Sequence, residues 1–208
     1  MNTLCMNSSE LKLSAKLIDE QKRSLAYLTF YFQGEPYINP DFLKMVAYAK
    51  SKGLYTITST NAHFLSEKNA KATIESGLDR IIISIDGLTQ ETYSAYRKEG
   101  KLENVIQGTK NLIKHKKMMR SSTPHIIFQF LVVRHNEHEI DDLYNLADEL
   151  GVDEVKLKTA QVYDYKNGNV PHSTPQIVTA ESAELHVKGK TTLYTRNGSD
   201  LDFYLNDD

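Results

Sequence analysis

Arg80-Ile81-Ile82-Ile83-Ser84-Ile85-Asp86-Gly87 constrains the fold of this chain more than any other segment. Near-continuous apolarity over so short a run, stopped by Asp-Gly, predicts a strand buried on both faces, as strands of parallel sheets are. Parallel neighbours need crossover connections of a dozen or more residues, usually helical. The flanking sequence should therefore alternate strand and helix, and it does. The aromatic run over residues 27–32 predicts a buried strand. Further strands are expected at 54–59, 124–133 and 152–158. Between them the apolar residues recur at helical spacing over 9–26, 66–76, 102–119 and 136–150, with Phe42, Leu43, Val46, Ala47 and Ala49 forming another such stripe.

Local signals bound these elements. Asn39-Pro40 opens the second helix and Gly53 ends it. Ser66 caps the third, and Gly77 closes it. A short helix is expected over 89–95. Asn136 with Glu139 resembles a capping box for the helix that Gly151 ends. At least four alternations of strand and helix predict an α/β fold with a parallel sheet. The spacing suits a partial (β/α) barrel, with a doubly wound open sheet as the alternative. Three regions are expected: an N-terminal helix over 1–26, the barrel over 27–165, and a tail over 166–208. In the tail, Asn197-Gly198 favours a hairpin between Leu193 and Leu205.

Composition excludes several classes of function. A net charge of −2 argues against a general nucleic-acid or anionic-membrane binder. No apolar stretch approaches a membrane span. Residues 1–10 lack the pattern of a secretory signal. The single cysteine, Cys5, allows no internal disulfide, so a cytoplasmic setting is expected.

The polar residues cluster at strand ends. Gln33, Gly34, Glu35 and Pro36 follow the first strand; Ser59, Thr60 and Asn61 end the second; Ser84 and Asp86 end the third; Lys158 and Thr159 end the last. In parallel sheets the C-terminal ends open into the ligand site. Glu35 can accept from an ammonium group, while Ser84 and Arg97 can hold a carboxylate. Together these suit an amino-acid-like group, which carries both charges.

That set resembles the radical S-adenosylmethionine (SAM) enzymes, most closely the branch that modifies peptides and proteins or matures sulfatases. The resemblance rests on Gln33-Gly34-Glu35-Pro36 (usually Gly-Gly-Glu-Pro in the family), Ser59-Thr60-Asn61-Ala62, Ser84-Ile85-Asp86-Gly87 and Arg97, in family order over residues 10–165. It implies a partial barrel. Gly34 and Glu35 would bind the methionine amino group of SAM, and Ser84 and Arg97 its carboxylate. Asn61 and Asp86 would support the nucleoside side. The implied activity is reductive cleavage of SAM to a 5′-deoxyadenosyl radical that takes hydrogen from a peptide or protein substrate. It also implies a [4Fe–4S] cluster on three closely spaced cysteine thiolates. One cysteine cannot supply these, and Cys5 is at most a remnant ligand. The resemblance thus describes a chain that lacks the first barrel strand, the cluster motif and the cysteine-rich C-terminal domain. Such a chain is expected to be inactive alone and to self-associate through an exposed sheet edge.

Two other readings stand beside it. A truncated barrel can bind SAM or a protein partner without catalysis. An unrelated barrel enzyme can use Glu35 and Asp86 as acid and base across a pocket. Several clusters read as ordinary structure. His135 and His138, with Glu137 and Glu139, fit no zinc pattern and suit a solvated helix start. Lys114, His115, Lys116 and Lys117 end a helix, where cations are favoured. His63 is either a substrate contact or an exposed side chain, and Lys158 faces either the mouth or solvent.

Overall fold

The computed structural model describes residues 15–20, 25–31, 34–159 and two short segments, 193–195 and 203–205. In chain order the elements are helix α1 (residues 15–20), β1 (Tyr27–Thr29), a 3-10 turn (Pro36–Ile38), α2 (Phe42–Ser51), β2 (Tyr55–Thr60), α3 (Glu67–Glu75) and β3 (Arg80–Ser84). There follow α4 (Gln90–Tyr96), α5 (Leu102–Met118), β4 (His125–Val132), α6 (Ile140–Leu150) and β5 (Glu154–Thr159). The strands β6 (Leu193–Thr195) and β7 (Phe203–Leu205) pair antiparallel, where the hairpin was expected. The rest of the tail, Cys5 and Gln33 lie outside the described residues.

Strands β1 to β5 form one parallel sheet in sequential order. A doubly wound sheet reverses its order at a switch point; this one does not, which removes that alternative. Right-handed crossovers in sequential order carry every connecting helix to the same face. Ile81, Ile83 and Ile85 accordingly join Phe128, Phe130 and helix residues Val46, Ile74, Val105, Leu112 and Leu143 in one buried core.

The opposite, concave face differs from expectation. Registers place Ser59 beside Ile82, and Ser84 beside Gln129 and then Lys156. On that face Ile82, Gln129 and Lys156 are half-exposed while Ser84 is buried, so the hollow side of β3 is only partly covered. The Ile-rich run is apolar beyond what the helix face needs because alternate members line the hollow of a partial barrel. The first strand is also shorter than the aromatic run suggests, and it is not buried. Among the described residues β1 pairs with β2 alone, and Tyr27 is 56% exposed. Of the N-terminal helix, Ile18 packs with Ala49 and Leu54.

Helix ends follow the sequence signals. Ser66 Oγ accepts from the Asn69 amide at 3.3 Å. Gly53, Gly77 and Gly151 all take positive φ after their helices, as a terminating glycine does. The capping box does occur, but at α4, between Thr89 and Thr92. No helix among the described residues is long and apolar enough to cross a membrane.

Candidate functional site

A cavity of about 210 Å³ opens where β1, β2 and β3 end. Tyr31, Gly34, Glu35, Ser59, Thr60, Asn61, Ser84 and Arg97 line it. Six of these were singled out from sequence as ligand contacts. Thr60 had been placed only on the rim, and Tyr31 was missed. Its signal is the period-two alternation of Tyr27, Thr29 and Tyr31, which puts all three side chains on one face.

Glu35 is the organising residue on one wall. Its Oε2 accepts from the Asn61 amide at 2.8 Å, and its Oε1 accepts from the Thr60 hydroxyl at 2.8 Å and the Tyr37 amide at 3.3 Å. A carboxylate has about four acceptor positions, so about one remains for a ligand. These bonds tie the loop after β1 to the end of β2. Burial pushes the Glu35 carboxyl above the usual range, against the opposing pull of the Asn61, Thr60 and Tyr37 donors. Gly34 adopts φ +84°, a conformation that costs a side-chain residue and lets the turn reverse beside the pocket. Pro36 begins the 3-10 turn and is not in the lining.

The second wall carries the other charge. Arg97 is the residue just past α4, and its Nε donates to Asp86 Oδ2 at 2.6 Å. The guanidinium lies over the Tyr96 ring, 5.4 Å from its centroid, and among the described residues its terminal nitrogens have no hydrogen-bond partner, so the fork's donors are available to an anion. Asp86 is buried and does not line the cavity. It accepts from the Leu131 amide at 2.8 Å and acts by holding Arg97. Glu35 and Asp86 therefore do not face one another across the pocket, which removes the acid–base alternative. Ser84 is nearly buried and lines the cavity, and no partner of its hydroxyl is found among the described residues.

Behind Asp86 lies a buried strut that the sequence reading mistook for a capping box. Asn136 donates to the carbonyls of Asp86 and Leu131, each at 2.9 Å, and its Oδ1 accepts from the Val133 amide at 2.8 Å. Glu139 accepts from the Leu88 amide and the Thr92 hydroxyl, each at 2.8 Å. Neither side chain caps α6. Both instead hold the Ser-Ile-Asp-Gly turn and α4, and through them Arg97. Their burial beside the β3 end, not their spacing, decides their role.

The histidines have similarly structural partners. The Lys101 amide donates to His63 Nε2 at 2.9 Å, so the proton sits on Nδ1 and bonds the Asn61 carbonyl at 2.9 Å. His63 thus links the loop after β2 to the start of α5. His135 Nε2 lies 3.2 Å from the Thr92 carbonyl, and no metal-like cluster occurs among the described residues. Lys114 and His115 pair with Glu67, and Lys116 with Asp153, so three of the four residues of this run have acidic partners. Lys158 is exposed on the concave face.

Known proteins share this fold. Residues 8–147 match the model of the Radical SAM superfamily. The chain is 29% identical over 170 residues to PqqA peptide cyclase of Gluconobacter oxydans (strain 621H), covering 77% of this chain and 46% of that protein. Its fold is similar to that of Streptococcus suis SuiB bound to S-adenosylmethionine, with a TM-score of 0.60, 14% identity, and coverage of 75% of this chain and 35% of SuiB. SuiB bound to its precursor peptide SuiA gives a TM-score of 0.59 at 13% identity, over 73% of this chain and 33% of SuiB. The chain thus spans less than half the length of these relatives.

Proposed function

The chain belongs to the Radical SAM superfamily, and on that premise we propose that the cavity at its sheet mouth is the cradle for the methionine end of SAM. The observation that carries this reading is the pairing of opposite charges across one small polar pocket, Glu35 on one side and Arg97 with Ser84 on the other. An α-amino group is cationic and an α-carboxylate anionic near neutral pH. Glu35 would take the ammonium at its remaining acceptor position, beside Gly34. Arg97 would take the carboxylate with its free fork, a geometry suited to two parallel bonds, and the Ser84 hydroxyl would donate alongside. Asn61 borders the same cavity and would face the nucleoside side, with Asp86 supporting from behind Arg97. SAM, when bound, supplies the carbon that becomes a radical in this family.

The cluster does not fit the residues present. Three thiolates are needed, whereas the 208 residues contain one cysteine, which lies outside the described set. No step is therefore derived through it. The reading for these residues is a SAM-binding core. Hydrogen abstraction from a peptide is proposed for an assembly in which the cluster ligands join it. The named activity of PqqA peptide cyclase and the peptide-bound SuiB support a peptide as substrate.

Calorimetric titration with SAM tests the cradle. The unmodified chain is expected to bind, and Arg97→Lys to bind about tenfold more weakly, because a point charge replaces a planar fork at a cost of about 1.4 kcal/mol. Absence of heat, or equal affinity in the variant, contradicts the assignment.

A further inference from the structure

The concave face next to the cradle has a charge pattern that SAM binding does not use. Val155 and Leu157 pack against the helix-side core, so Glu154, Lys156 and Lys158 occupy the opposite, hollow side of β5. Ser84, Gln129 and Lys156 lie in one register row across β3, β4 and β5, and Leu131 pairs with Lys158 one step nearer the mouth. Strands stand about 5 Å apart, so Lys156 starts about 10 Å from Ser84 along that row.

The wall is cationic and underused. Glu154 lies between two partners: its Oε2 is 2.9 Å from His125 Nε2, and its Oε1 is 3.5 Å from Lys156. One carboxylate thus contacts both groups, and its pairing with Lys156 is loose at 3.5 Å. Lys158 is exposed, with no partner among the described residues. Gln129 is half-exposed, and its amide likewise has no partner there. Two ammonium groups on one strand face, about 7 Å apart at the backbone, repel one another until an anion lies between them.

We propose that Lys156 and Lys158, with Gln129, form the substrate wall of the barrel and select a peptide segment carrying an aspartate or glutamate close to the reacting residue. The inference rests on the SAM-cradle reading, which seats the methionine carboxylate at Ser84 and Arg97 and so puts bound SAM beside this wall. Lys158 then meets the peptide's carboxylate first, at the mouth. Gln129 bonds the peptide backbone between it and the cradle. All three are specificity-determining residues and none touches SAM.

The test uses the full chain, immobilised and saturated with SAM, to capture peptides from a random pool, with composition read by mass spectrometry. Asp and Glu are expected to be enriched about fivefold over input, the upper range of an accessible ion pair. The double variant Lys156→Met, Lys158→Met is expected to lose that enrichment while its SAM titration stays unchanged. No enrichment, or enrichment that persists in the variant, overturns the proposal. So does a loss of SAM affinity in the variant, since the lysines would then belong to the cofactor cradle. Absence of SAM binding by the unmodified chain overturns the cradle reading instead, and the titration reports that separately from the peptide capture.

Discussion

Gly87→Ala is expected to destabilise the fold by about 3 kcal/mol and to weaken SAM binding at the same time. A Cβ at Gly87 would stand 2.3 Å from the Tyr93 amide nitrogen and 2.6 Å from its Cα. These are backbone atoms of α4 and cannot rotate away. Relief requires α4 to move, and Arg97 ends that helix with its guanidinium tied to Asp86. For a chain of this size the loss corresponds to a fall in melting temperature of about 6–12 °C. Gly53→Ala is the control. A Cβ there meets nothing within 4 Å, but φ is +78°, so only conformational strain of about 1–2 kcal/mol is expected. Thermal melts and SAM titrations of both variants separate the outcomes. Equal losses in stability, with SAM affinity intact in Gly87→Ala, would show that the turn does not position Arg97.

Glu35→Ala is expected to abolish measurable SAM binding and to cost about 2–5 kcal/mol of stability. The substitution strands the Asn61 amide, the Thr60 hydroxyl and the Tyr37 amide together, because one carboxylate serves all three. Glu35→Gln keeps an acceptor and loses the charge, so it should retain more stability than binding. The pH dependence has a definite sign. Burial raises the Glu35 carboxyl above its usual range, so the folded state favours the protonated form. Its contribution to stability is present below the usual carboxylate range and is lost as pH rises through the raised value. Ligand binding runs the other way, because an ammonium pairs with the ionised form. SAM affinity should therefore strengthen as pH rises through the mildly acid range, with release of a proton, and Glu35→Gln should flatten that dependence. Titrations in buffers of different ionisation enthalpy detect the proton directly.

Much of this was legible before any coordinates. Strand and helix order, the glycine stops and the Ser66 cap are local signals, and each survives because nothing in the tertiary structure opposes it. Gly34, Glu35, Ser59, Asn61, Ser84 and Arg97 converge because parallel strands deliver their C-terminal ends to one rim. What sequence could not show depends on neighbours far along the chain. Asn136 and Glu139 match a capping box in spacing, yet their partners are Asp86, Leu131, Leu88 and Thr92. Asp86 sits among rim residues but turns inward to a Leu131 amide and to Arg97. The isoleucines of β3 look alike in sequence, although Ile81 and Ile83 are buried while Ile82 lines the hollow. Only the sequential strand order, with all helices on one side, tells those faces apart.

The cradle assignment is tested most directly by a crystal structure of the chain soaked with SAM. The ammonium is expected within hydrogen-bonding distance of Glu35 and the Gly34 backbone, and the carboxylate on Arg97 and Ser84. SAM bound elsewhere, or seated in the cavity with its carboxylate turned away from Arg97, would contradict the account.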